Sequence, residues 1–217
     1  MKIIDQNNWA RREHYNHFKN LEYPYFSLCF TFDISQLRHF CRKNKLSITY
    51  SLVYLSSRCA NNIPEFRLRI REGEVVEHEI VHPSFTVLRE DETFSFCTFD
   101  DSEDPVVFFQ RAQTEQARVM LQAVMDNESE RDDYLIMSPL PWISFTSCTH
   151  AQGNGLKDRV PRIAWGKYYE DTAEHIQLPY SIQMHHALAD GLHVGKFVEQ
   201  FQHLLYEPEK LFSTLLN

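Results

Sequence analysis

This 217-residue sequence predicts an α+β fold, a two-layer sandwich with a mixed, mostly antiparallel sheet and helices on one face. Two periodicities interleave along the chain: several stretches repeat apolar residues at three and four, others alternate them every second position. The alternating stretches are short, spread through the sequence and separated by turn residues. With helical segments between some but not all of them, they favour antiparallel or mixed pairing over a regular βαβ series.

Taken in order, a helix is expected from about Ser35 to Asn44, burying Leu37, Phe40 and Cys41, and a second from about Thr49 to Asn61, turning Leu52, Val53 and Leu55 inward. Phe66, Leu68 and Ile70 alternate up to a Glu72-Gly73 hairpin that returns through Val75. Phe85 to Leu88, Phe94 to Phe99, Trp142 to Thr149 and Ile163 to Tyr169 are further expected strands. Asp104-Pro105 reads as a helix cap followed by proline at the first helical position, with Val106, Phe109, Ala112, Val119 and Met120 on the buried face. The acidic run Asp126 to Asp133 is expected to be a solvated loop. Near the end, Leu178, Tyr180, Ile182 and Met184 alternate as a half-buried strand. Val194, Phe197, Val198, Phe201, Leu204 and Leu205 then define a helix capped by Asp190.

A content of 43% hydrophobic and 13% aromatic residues is enough for one substantial core, and a single domain over residues 1–217 is expected. The net charge of -8, without a basic run interleaved with aromatics, argues against nucleic acid as a partner. No apolar segment approaches membrane-spanning length, and Met1-Lys2-Ile3-Ile4-Asp5-Gln6 lacks the apolar stretch of a signal peptide, so no membrane partner and a cytoplasmic location are expected. Cys29, Cys41, Cys59, Cys97 and Cys148 are odd in number and contain no CxxC, which indicates packing rather than a disulfide framework or a metal site.

The chemistry-bearing stretch is Gln183-Met184-His185-His186-Ala187-Leu188-Ala189-Asp190-Gly191, with two adjacent imidazoles where a strand hands over to a helix. An imidazole with an ordinary pKa of roughly 6.5 is largely neutral at pH 7 yet basic enough to take a proton from a bound hydroxyl. With 11 histidines in the chain, a His four residues before an Asp arises easily by chance; the doubled His, the Asp-Gly turn and the strand-to-helix flanks make this one a site candidate.

The run His185-His186-Ala187-Leu188-Ala189-Asp190-Gly191-Leu192-His193 resembles the signature of the chloramphenicol acetyltransferases. Asn8 to Tyr15 and Ser138-Pro139-Leu140-Pro141-Trp142 match two further elements of that family in the same order, and weaker similarity through Pro83 to Val87, Glu92 to Ser95 and Gly166 to Tyr168 extends the resemblance over nearly the whole chain. The resemblance implies acetyl transfer from acetyl-CoA, a co-substrate rather than a resident cofactor, to a hydroxyl of chloramphenicol or a similar small acceptor. It also implies a homotrimer with active sites at subunit interfaces, no metal, and a role in antibiotic resistance.

By the same resemblance His186 is the general base, its tautomer held by its own backbone carbonyl, and Ser138 donates to the tetrahedral oxyanion. Asp190 pairs with Arg11 in support of the site, while His185 is structural and His193 a core or interface residue. Lys167 and Tyr168 match positions near CoA. Ser47 and Thr49 replace a lysine and a tyrosine that accompany them in the family, a loss for which Lys43 or Lys45 is a candidate substitute. In the acceptor pocket Phe18 stands for a tyrosine, Ala164 for a threonine and His150 for an apolar residue, while Phe26, Phe94 and Phe96 offer aromatic walls. The altered pocket keeps two alternatives open: a different hydroxyl, amine or thiol acceptor, and a non-catalytic trimeric binding module. The acyltransferases of 2-oxo acid dehydrogenase complexes share the HxxxDG core, but no lipoyl domain or Ala/Pro-rich linker is present here.

Overall fold

The computed structural model describes residues 1–122, 131–153 and 159–216. Its elements in chain order are β1 (Lys2–Ile3), α1 (Arg12–Phe18), β2 (Tyr25–Asp33), α2 (Ser35–Asn44), α3 (Ile48–Asn61), α4 (Pro64–Arg67), β3 (Leu68–Arg71) and β4 (Glu74–Glu77). They continue with β5 (His82–Leu88), β6 (Phe94–Thr98), α5 (Pro105–Met120), β7 (Tyr134–Leu140), β8 (Arg162–Gly166), β9 (Tyr169–Glu170), β10 (Ile176–His185), α6 (Gly191–Tyr206) and α7 (Pro208–Phe212). The main sheet runs β2-β10-β8-β7-β5-β6, with β9 pairing the start of β10. Its β5–β7 and β7–β8 pairs are parallel and the others antiparallel. That is the expected mixed α+β sheet. A small antiparallel sheet, β1-β4-β3, stands apart.

Alternate strand residues face the helices. Phe32, Phe85, Cys97, Leu135, Met137, Ile163, Trp165, Tyr180 and Ile182 join Leu37, Leu52, Leu55, Phe108, Phe197 and Phe201 in one buried cluster. Phe201 meets Phe32 at 4.8 Å and Tyr180 at 5.1 Å between ring centroids; burying such a ring contributes about 2–3 kcal/mol. Residues of the other parity, among them Phe96, Ser138, Ala164 and Ser181, face away from the helices.

Helix boundaries follow the sequence signals. Ser47 caps α3 by accepting the Tyr50 N–H, and Asp104 caps α5 by accepting the Val106 N–H at 2.9 Å with Pro105 behind it. The Glu72-Gly73 hairpin forms as expected, both residues having positive φ (50° and 84°), as a two-residue turn of this hand requires.

Several expectations change. Phe66 lies in the short helix α4, started by Pro64, so the strand begins only at Leu68. Two strands were not expected: β2, although Phe26, Leu28, Phe30 and Phe32 alternate along it, and β7, which has no clear alternation and contains Ser138. Trp142 to Thr149 is not a strand but an irregular, mostly exposed segment lying along β8 and β10. The Lys167 N–H donates to the Ile143 carbonyl at 2.7 Å, and the His150 N–H donates to Gln183 Oε1. Gly166 permits this approach, because a Cβ there would stand 2.7 Å from the Ile143 oxygen. The strand expected from Ile163 to Tyr169 breaks after Gly166, and Tyr169 pairs separately with β10. On α5, Met120 is exposed and Val106 only half-buried; Phe108 supplies the missing core contact. Of the acidic run, residues 126–130 lie outside the described residues, but Asp132 is buried, paired with Arg71 and bonded to His78 at 2.9 Å.

Candidate active site

Strand β10 ends at His185, and the chain turns through Ala187 to Ala189 into α6. The Leu188 and Ala189 N–H groups both donate to the His185 carbonyl. His186 is half-buried and held on every side. Its backbone N–H donates to the Pro24 carbonyl at 2.7 Å, tying the turn to the chain just before β2. Its ring stacks on Phe18 at 4.1 Å with 15° between planes and leans on Phe26 at 4.7 Å. Nδ1 lies 3.0 Å from the Ala189 carbonyl oxygen. A carbonyl only accepts, so the proton sits on Nδ1 and Nε2 keeps its lone pair, with no partner among the described residues. The tautomer is therefore held by Ala189, three residues on, rather than by the histidine's own carbonyl, which is occupied by Arg11 Nη2 at 3.3 Å.

Arg11 Nη1 also meets Asp190 Oδ2 at 2.6 Å, making the expected ion pair between the N-terminal segment and the turn. Burial opposes the Asp190 charge, but the Arg11 bond and the nearby His193 outweigh it and hold the carboxyl below its usual range. Asp190 Oδ1 accepts the Leu192 N–H at 3.0 Å as the cap of α6. His185 is buried, with the Ala187 N–H donating to its Nδ1 at 3.2 Å. Burial, reinforced by Arg159 and His186, lowers its pKa to about 4, so it stays neutral, as a structural histidine.

Ser138 lies elsewhere. On β7 it pairs with Ala164 of β8, which pairs with Ser181 of β10. From that row His186 is two strands across and five residues along, a separation on the order of 20 Å at ordinary strand spacing and rise. One protomer therefore does not bring the two expected catalytic residues together. Ser138 does share its row and face with Ala164 and, through Thr86 one step beyond the Phe85–Met137 pair, with Phe96. Phe94 packs edge-on against Phe96 at 5.6 Å and is 49% exposed. The Ser138 hydroxyl has no hydrogen-bond partner among the described residues. His150 reaches the same face near Gln183, where burial and then Arg162 lower its pKa to about 4.

Lys167 and Tyr168 follow β8 and are exposed. The Arg38 guanidinium of α2 sits 5.3 Å over the Tyr168 ring. A stacked guanidinium keeps its N–H groups free at the ring edge for an anion. Sequence reasoning missed Arg38; the available signal was that α2 contains Arg38, Arg42 and Lys43 and no acid. Beside Tyr169 a cavity of about 340 Å³, lined among others by Cys29, Thr31, Ser144 and Phe145, leads toward the Ser138 row, since Cys29 pairs with Ser181.

A sequence profile described as chloramphenicol acetyltransferase matches residues 1–202. The chain belongs to the chloramphenicol acetyltransferase family. It is 31% identical to a Bacillus pumilus chloramphenicol acetyltransferase over 218 aligned positions, covering 100% of this chain and 98% of the relative. It is 30% identical to chloramphenicol acetyltransferase 3 of Escherichia coli, covering 93% and 95%. A solved chloramphenicol acetyltransferase superposes with a TM-score of 0.80 at 25% identity over 94% of this chain and 99% of that one. The cubic core of a pyruvate dehydrogenase complex shares the fold, at a TM-score of 0.65 and 18% identity over 91% and 88%. Family membership places the chain among acetyltransferases. Among the described residues no helix is long and apolar enough to cross a membrane.

Proposed function

We propose that this family member transfers the acetyl group of acetyl-CoA to a hydroxyl of a small acceptor, with chloramphenicol the first to try, as one domain over residues 1–217. The observation that carries the reading is the His186 ring: pinned through Nδ1 by Ala189, clamped by Phe18 and Phe26, with Nε2 unpartnered among the described residues. His186 Nε2 takes the acceptor hydroxyl proton as that oxygen attacks the thioester carbonyl. The tetrahedral intermediate's oxyanion accepts from the Ser138 hydroxyl. Collapse breaks the C–S bond, and the imidazolium returns its proton to the departing CoA thiolate. No acyl-enzyme forms.

The separation of Ser138 from His186 supports a site shared between copies, His186 from one protomer and Ser138 with Ala164, Phe94 and Phe96 from the next. Exposed Leu28, Leu88, Phe94, Trp142 and Ile143 give the copies an apolar surface to bury. We assign the assembly as a homotrimer. Lys167 and Arg38, flanking Tyr168, supply positive charge for the CoA phosphates, and the cavity beside Tyr169 gives the pantetheine arm a route to Ser138. Ala164, His150 and Phe18 make this acceptor pocket its own, which favours an acceptor other than chloramphenicol as the second reading.

Release of CoA thiol from acetyl-CoA and chloramphenicol, run beside His186→Ala, tests the activity. Mixing His186→Ala and Ser138→Ala chains tests the shared site: a ring of three with one residue from each side regains about a quarter of wild-type activity from two inactive parents. A site built within one chain regains none. Binding of acetyl-CoA without turnover on a panel of hydroxyls, amines and thiols favours the binding module.

A further inference from the structure

We propose that Glu65 and His193 form a latch that positions the His186 ring, making both of them positioning residues for acetyl transfer. The proposal rests on His186 being the base. Its starting point is an unusual capping box. Asp190 caps α6, and the third helical residue, which completes such a box when it is Glu or Gln, is His193. A glutamine would accept the Asp190 N–H equally well. What the imidazole adds is a second nitrogen pointing away from the helix end.

Both ring nitrogens are engaged. Nδ1 lies 3.1 Å from the Asp190 amide nitrogen, and Nε2 lies 3.3 Å from Glu65 Oε1. His193 is buried, with its side chain 8% exposed, and Glu65 on α4 has no other side-chain partner among the described residues. The next residue, Phe66, is fully buried and stacks on Phe197 of α6 at 5.2 Å. That contact fixes α4 against α6 one turn beyond His193 and holds the Glu65 backbone in place.

The consequence runs through one peptide group. The C=O of Ala189 and the N–H of Asp190 belong to the same planar unit. Its oxygen holds His186 Nδ1; its N–H is held by His193 Nδ1. For His193 Nδ1 to accept, the ring must carry its proton on Nε2, and the Glu65 oxygen 3.3 Å from that nitrogen favours this tautomer. Without Glu65, a proton on Nδ1 turns to Asp190 Oδ1, 3.0 Å away, and the peptide N–H loses its acceptor. The peptide is then free to rock, and the His186 ring rocks with it.

Glu65 is partly exposed and close to no reacting group, so Glu65→Ala is expected to fold normally. It should lower kcat about tenfold through misplacement of the base, with the KM for acetyl-CoA within about twofold of wild type. His193→Ala should do the same, His193→Gln and Glu65→Gln should restore most of the loss, and Glu65→Ala/His193→Ala should be no slower than His193→Ala. Wild-type kcat in Glu65→Ala, multiplied losses in the double variant, or a loss appearing only as lower thermal stability would overturn the latch. Nitrogen-15 NMR of the His186 ring gives a readout that needs no acceptor. One Nδ1–H tautomer in the wild type and a mixture in Glu65→Ala supports the latch even if no tested acceptor turns over; a single tautomer in both defeats it.

Discussion

Around His186 the ring Nδ1, the backbone N–H and the backbone carbonyl each have a partner in the same chain, whereas the Ser138 hydroxyl has none among the described residues. The His186 ring stacks on Phe18 and leans on Phe26; Ser138 sits in a sheet face with Phe94 half-exposed beside it. Orienting a general base requires fixing a ring and a tautomer, which local turn geometry achieves within one protomer. Stabilising an oxyanion requires only a donor aimed into the space the oxyanion will occupy. The contrast fits a reaction centre divided between copies, with the rigid half on one and the receptive half on the other.

Substitutions break this comparison in a definite order. His186→Ala should lower kcat by about 10⁴-fold while thermal stability and assembly stay close to wild type, as read by steady-state kinetics and calorimetry. Retained turnover would remove the base assignment. Ser138→Ala should cost about 10²- to 10³-fold in kcat with little change in the KM for acetyl-CoA; an unchanged kcat would mean that the oxyanion has another donor. Asp190→Asn sharpens the other side. The pair it breaks is partly exposed, so denaturant unfolding should report a loss of about 2 kcal/mol, between the ranges for surface and buried pairs, and a smaller rate loss than His186→Ala.

The weakest effect is a pH dependence. His185 and His150 have pKa values of about 4 in the folded chain and ordinary ones when unfolded. Between roughly pH 6.5 and 4 the unfolded chain therefore binds more protons, and stability falls as pH falls through that window. His150→Leu removes one of these protons, so its melting temperature should decline less steeply than that of the wild type from pH 7 to 4.5. Parallel declines would show that His150 is not held neutral.

Legibility from sequence followed the kind of interaction involved. Helices α2 and α6 announced themselves because one face of each is buried in a continuous core, which imprints a period on the residues; β10, expected to be half-buried, and α3 are buried nearly all round, and their periods survive because Ser181 and Gln183 on β10 and Ser51, Ser56 and Ser57 on α3 interrupt the apolar residues. Strand β7 carried no such imprint: Leu135, Ile136 and Met137 are buried in succession between β5 and β8, so Ser138 was legible only through the family resemblance. Trp142 to Thr149 looked like a strand because it is rich in aromatic and β-branched residues, but Trp142 and Ile143 are exposed, and no core holds the segment in a ladder. The Asp190 cap and the Arg11 pair were legible through local signals and family resemblance. The carbonyl that holds His186 was not, since whether residue 186 or 189 supplies it depends on how the turn closes.

The sequence by itself determined the interleaving of helices and strands, the position of the doubled histidine at a strand-to-helix junction and the membership of the family, because periodicity and turn chemistry are local. Only the tertiary structure decided that Ala189 fixes the His186 tautomer, that Arg38 lies over Tyr168, that Glu65 reaches His193, and that Ser138 stands two strands away from His186. Each of these joins residues through the packing of separate elements, and no local pattern encodes a distance across a sheet.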